Sequence, residues 1–113
     1  MENMEVQGRS KPPKPYREFK SGHPAVADAY EQLATAVRAA GPLTAREVAL
    51  VKLGISMGAR MEGAVHSHVR KALDDGVEPE AVEQVALLAC PTIGFPNMMA
   101  ALVWVRDVLR KSD

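Results

Sequence analysis

The sequence has little cysteine, few aromatic residues and no excess of charge of either sign. Its single thiol, Cys90, excludes an intrachain disulfide and any cysteine-based metal cluster, and points to a reduced, cytoplasmic setting. Fourteen basic residues balance fourteen acidic ones, so the formal net charge is zero. That balance argues against a globally basic nucleic-acid binder and against an acidic solvating protein. No segment reads as a convincing strand, and no Gly-rich phosphate loop, nucleophile elbow or dinucleotide fingerprint occurs. The first residues, Met1 to Glu5, carry acid and no apolar run, unlike a secretory signal. What is present is 113 residues of ordinary globular composition, 47% hydrophobic and 25% charged, about one domain's worth and too apolar for general disorder.

One apolar stretch requires a membrane test. No charge falls between Glu83 and Arg106, a run long enough to span a bilayer. Pro91, Gly94, Pro96 and Asn97 interrupt it in the middle, and such a break would leave backbone groups bare in lipid. The run therefore reads as two buried helices joined by a turn, with no membrane partner.

Residues 1–22 read as an extended arm. Lys11-Pro12-Pro13-Lys14-Pro15 is rich in residues that lack a donor and bias their predecessors towards extended structure. Five basic residues and one acid between Arg9 and Lys20 suit contact with an anionic partner, or a solvated arm packing on a neighbouring subunit through Tyr16 and Phe19. Residues 23–113 read as an all-α domain of about five helices. These run over about 24–40, 45–57, 61–75, 79–89 and 97–111, punctuated by Gly41-Pro42, Thr44, Gly76 and the proline-rich turn. The last two are apolar nearly all round, and a helix of that kind must be buried. A chain this small has little capacity to bury both, which predicts a homo-oligomer.

Two ionisable residues lie on apolar faces. On the second helix the spacing puts Glu47 near the middle of an arc made by Val48, Leu50, Val51 and Ile55. A buried carboxylate is costly unless paired, so Glu47 is a candidate for chemistry. The alternative is a capping box with Thr44, three residues earlier. On the third helix His68 shares a stripe with Met61, Val65, Val69 and Ala72, towards its edge. A carboxylate and an imidazole within reach of each other make an acid–base pair near neutral pH. His66 lies about 160° away around the helix, in a polar row with Glu62 and Arg70. The two histidines do not face one site, so no metal centre is assigned to Glu62, His66 and His68. Cys90 ends an apolar helix with no basic neighbour in sequence, which suits an inert buried thiol better than a reactive one.

Four segments resemble one family in order and spacing. Leu43-Thr44-Ala45-Arg46-Glu47-Val48-Ala49-Leu50 is similar to the L-x-x-R-E-L-x-x-L helix of the carboxymuconolactone decarboxylase family. His68-Val69-Arg70-Lys71-Ala72-Leu73-Asp74-Asp75-Gly76-Val77 resembles its H-x-R-x-A-x-x-x-G-x-T segment. Pro79-Glu80-Ala81-Val82-Glu83-Gln84-Val85 is similar to its fourth-helix start, and Gly94-Phe95-Pro96-Asn97 to the turn before its last helix. The resemblance covers about residues 24–112. It implies an all-helical fold of the alkyl hydroperoxidase D-like type, assembled as a trimer or hexamer, and decarboxylation without a cofactor in aromatic catabolism. In the family's peroxidase branch, His68 would be the histidine of a C-x-x-C-x-x-x-H motif and Glu47 the upstream proton-relay acid. The two cysteine positions of that motif hold Met61 and Ala64, so its disulfide cycle has no thiols here. The family tyrosine before Gly94 falls on Thr92.

The reading that follows is a decarboxylase-like lyase acting on a small organic acid or lactone. His68 moves a proton, Glu47 orients or recharges it, and Arg46 or Arg70 binds the substrate carboxylate. Thr92, Phe95 and Pro96 form a pocket wall. The alternatives are a peroxidase-type antioxidant and a non-catalytic oligomer that binds a small molecule.

Overall fold

The computed structural model describes residues 11–112 of the chain. Six α-helices make up its regular structure, and there is no strand among the described residues. The chain divides into two compact units, residues 1–43 and 44–113.

The first unit contains α1 (Lys14–Gly22) and α2 (Pro24–Arg38). Residues 14–22 are thus helical rather than extended, a correction to the expected arm. The reason lies in where the last proline of the run falls. Pro15 occupies the first turn of α1, where no intrahelical donor is needed, and the Tyr16–Lys20 stretch contains no further breaker. Arg17 returns to bond the carbonyl of Pro12, outside the helix start. His23 ends α1 and opens α2: its N–H donates to the Phe19 carbonyl at 2.8 Å, and its own carbonyl accepts from Ala27 at 3.0 Å. Glu31 of α2 accepts from the Tyr16 hydroxyl at 3.1 Å and lies 3.4 Å from the Lys20 ammonium. The part of the basic arm before residue 11 lies outside the described residues.

The second unit packs α3 (Ala45–Gly58), α4 (Glu62–Asp74), α5 (Pro79–Ile93) and α6 (Phe95–Ser112) around one apolar core. Leu53 of α3, Val65 and Val69 of α4, Val82 of α5 and Val105 of α6 are its largest fully buried side chains. Burial of this kind, at about 25 cal/mol per Å² of apolar surface, is the main force holding the helices together.

Two helix ends share one backbone device. At the end of α4, Gly76 takes φ +91°, its N–H bonds the Leu73 carbonyl at 3.0 Å, and the Val77 N–H bonds the Ala72 carbonyl at 2.9 Å. This double closure satisfies carbonyls that the helix leaves open, and it tucks Val77 into the core. The end of α3 repeats the pattern with Arg60 at φ +58°, a left-handed conformation that side chains other than glycine adopt at a cost. The turn from α5 to α6 is one residue long. Gly94 adopts φ +102° and ψ 156°, a region open in practice to glycine alone.

Two boundaries differ from expectation. Helix α5 continues through Pro91 to Ile93, because a proline in the last turn forfeits only its own bond to Leu87. Helix α6 begins at Phe95, immediately after the glycine turn. Within the single chain these two helices are only partly buried. Each buries one stripe, while Leu87, Leu88, Phe95 and Val103 remain exposed in the chain. No helix among the described residues is long and apolar enough to cross a membrane.

Candidate functional site

The core stripe of α4 fixes where its histidines point. Val65, Val69 and Ala72 are buried, and His68, between them in sequence, sits at the rim of that stripe, half-buried. Its imidazole has no hydrogen-bond or ion-pair partner among the described residues. Burial holds its pKa below the usual histidine value, and the ammonium groups of Lys71 on α4 and Lys52 on α3 lower it further. The ring is therefore biased towards its neutral form at neutral pH and is free to exchange a proton.

Glu47 occupies a different place from the one its helical position predicts. It is exposed, at the third position of α3, and completes a capping box. The Glu47 N–H donates to the Thr44 hydroxyl at 3.1 Å, and the Thr44 N–H donates to a Glu47 carboxylate oxygen at 2.9 Å. The expectation of a buried acid paired with His68 is corrected on this geometry. The first turn of a helix carries unsatisfied N–H groups, and a carboxylate there is drawn to them and away from the core. No hydrogen bond or ion pair joins Glu47 to His68 among the described residues. Thr44→Ala is expected to cost about 1 kcal/mol of stability in chemical denaturation. Glu47→Gln, which preserves the box, is expected to cost less.

The other expected site residues separate into groups. Arg46 is committed to Glu78, 3.0 Å away, an exposed pair that ties the start of α3 to the residue capping α5. The Glu78 carboxyl is held below the usual glutamate range by a bond to its own backbone N–H and then by Arg46. Arg70 is half-buried on α4, two residues beyond His68. Thr92 turns its hydroxyl back to the Leu88 carbonyl at 2.6 Å, and Phe95 and Pro96 are exposed at the glycine turn. Asn97 fastens this turn, donating to the Ile93 carbonyl at 2.7 Å while its side-chain oxygen accepts from Arg60. Cys90 is half-buried and not disulfide-bonded.

Sequence reasoning missed the two lysines. Lys71 lies three residues after His68, a spacing that could have revealed it. Lys52 lies on a different helix, and its position on the polar side of α3 gives no hint of a neighbour on α4.

These features define an all-helical protein with a half-buried imidazole that has no bonding partner among the described residues and whose pKa is lowered by burial and by two lysine charges. The chain belongs to the carboxymuconolactone decarboxylase family, whose pattern matches residues 24–107. No curated protein and no solved structure matches it significantly. The family identified from the four motifs is borne out.

Proposed function

We propose that the chain is a decarboxylase-like enzyme that works without a cofactor on a small organic acid or lactone, with His68 as the proton-transfer group. The carrying observation is the half-buried imidazole of His68, without a hydrogen-bond or ion-pair partner among the described residues and with its pKa lowered by the charges of Lys71 and Lys52. Loss of carbon dioxide from such an acid leaves an electron pair on carbon, delocalised into an adjacent carbonyl. The two ammonium groups favour that anion. His68, once it has taken a proton from solvent, supplies that proton as imidazolium to quench the anion and returns to its neutral form. An imidazolium whose pKa is depressed is a stronger acid than an ordinary one, which suits donation to carbon. Arg70, on the same helix, is the group proposed to grip a substrate carboxylate, and the turn from Thr92 to Asn97 one wall of the pocket. Glu47 is proposed to act through the helix start rather than on substrate.

The proposed working form is a cytoplasmic homo-oligomer, a trimer or hexamer as the resemblance implies. The exposed apolar residues Leu87, Leu88 and Val103 support assembly.

An NMR titration of the His68 ring tests the site without requiring the substrate. The expected midpoint lies below about 6.5, and Lys52→Met is expected to raise it by removing a like charge. A bound small carboxylate is expected to raise it as well. An ordinary midpoint that neither change moves refutes the reading. The shift also has a consequence for stability. In the window between the folded value and about 6.5 the unfolded chain binds more protons. The stabilisation is therefore complete above about pH 6.5 and is lost as the pH falls from there through the folded value.

A further inference from the structure

His66 faces away from His68 and meets a different neighbour. Its Nε2 lies 3.1 Å from a carboxylate oxygen of Asp107 on α6 and 3.9 Å from one of Glu62, a turn earlier on α4. One donor atom from each of the three residues lies within 4.8 Å of the other two. His66 and Asp107 are half-buried and Glu62 is exposed, so the cluster opens to solvent on one side.

The donor set is one imidazole nitrogen and two carboxylate oxygens, drawn from two helices that pack together. Zinc binds such atoms at about 2.0–2.2 Å. A tetrahedral centre with those bonds spaces its ligand atoms by about 3.4 Å. The observed 3.1 and 3.9 Å lie on either side of that spacing, so small side-chain rotations close the cluster around an ion. With a neutral ring the cluster carries two negative charges, which a divalent cation balances. Competing cations are few: Arg106 is bonded to Glu83 at 3.2 Å, and neither Arg70 nor Arg110 pairs with Glu62 or Asp107 among the described residues. The backbone under the ligands is held by the core, since Val65 and Val69 flank His66 in sequence and Val105 and Val108 bracket Asp107, all four buried. The imidazole selects a zinc-class ion over magnesium or calcium, which prefer oxygen alone.

We propose that Glu62, His66 and Asp107 form a binding site for a zinc-class divalent cation that bridges α4 and α6. Water completes the coordination on the open side. The site is separate from His68 and does not depend on the proposed reaction.

Calorimetric titration of the metal-free full chain with zinc ions at pH 7.5, in a non-chelating buffer, tests it. One saturable ion per chain is expected, with a rise in melting temperature on loading. Glu62→Gln and Asp107→Asn are each expected to weaken binding by about tenfold or more, the scale on which metal sites respond to lost partners. His66→Ala is expected to abolish it, because the nitrogen ligand is lost. Cys90→Ser and His68→Gln are expected to bind as the parent does. Absence of saturable binding, or binding that survives Glu62→Gln and Asp107→Asn unchanged, overturns the proposal. Glu62 is exposed, so its substitution still decides between these outcomes if His66→Ala does not fold.

Discussion

Replacement of His68 by asparagine is expected to slow turnover of a small acid or lactone substrate by about 10²–10⁴-fold, the usual contribution of a positioned proton-transfer group. Asparagine keeps a polar planar group of similar reach and removes the titration. Because His68 is only half-buried and bonded to nothing among the described residues, the fold should survive the change, and the melting temperature should stay near that of the parent. The readout is release of carbon dioxide together with incorporation of solvent deuterium at the product carbon. The variant loses both if the ring delivers the proton. If release persists and deuterium still enters, His68 is not the proton donor and its assignment as the proton-transfer group fails. Glu47→Gln is the informative companion. Glutamine completes the capping box as well as glutamate does, so turnover within a few-fold of the parent is expected from an acid that serves only the helix start. A loss matching that of His68→Asn would reinstate Glu47 as a proton relay.

Leu53→Ala is expected to cost about 2–5 kcal/mol. Leu53 is fully buried on α3, in the core shared with α4, α5 and α6. Truncation removes apolar contacts and leaves a void that surrounding side chains only partly refill. A domain of this size has a total stability of about 5–15 kcal/mol, so one such loss shifts the unfolding midpoint strongly. Denaturant titration measures it. Leu87→Ala on α5 provides the contrast, because Leu87 is 48% exposed and its loss within the chain should stay within about 0.5 kcal/mol. A concentration-dependent loss in Leu87→Ala would instead place that side chain in a subunit interface.

Helices were legible where punctuation is strong. Thr44 with Glu47 and Gly76 after α4 each mark a boundary that the backbone requires, and the structure uses both, whereas the last turn, expected between 89 and 97, is Gly94 alone. Proline was the less reliable sign. In the run from Lys11 to Pro15 it suggested an extended arm, yet Pro15 sits in the first turn of a helix, and Pro91 sits in the last. The reasons differ at the two ends. In the first turn no N–H owes an intrahelical bond, so Pro15 forfeits nothing there, whereas Pro91 gives up one bond to Leu87 and the helix ends two residues later.

Local sequence determined the helical class of this protein, most of its helix ends and its family, because hydrophobic spacing and capping are properties of neighbouring residues. Tertiary structure alone decided which charged groups meet. Asp107 reaches His66 across 41 positions, Glu78 holds Arg46 across 32, and Lys52 on α3 lowers the pKa of His68 on α4. Helical periodicity says which face a side chain occupies on its own helix. Which helix lies opposite that face is set by packing of the core, and the same packing left Glu47 in solvent at a helix start.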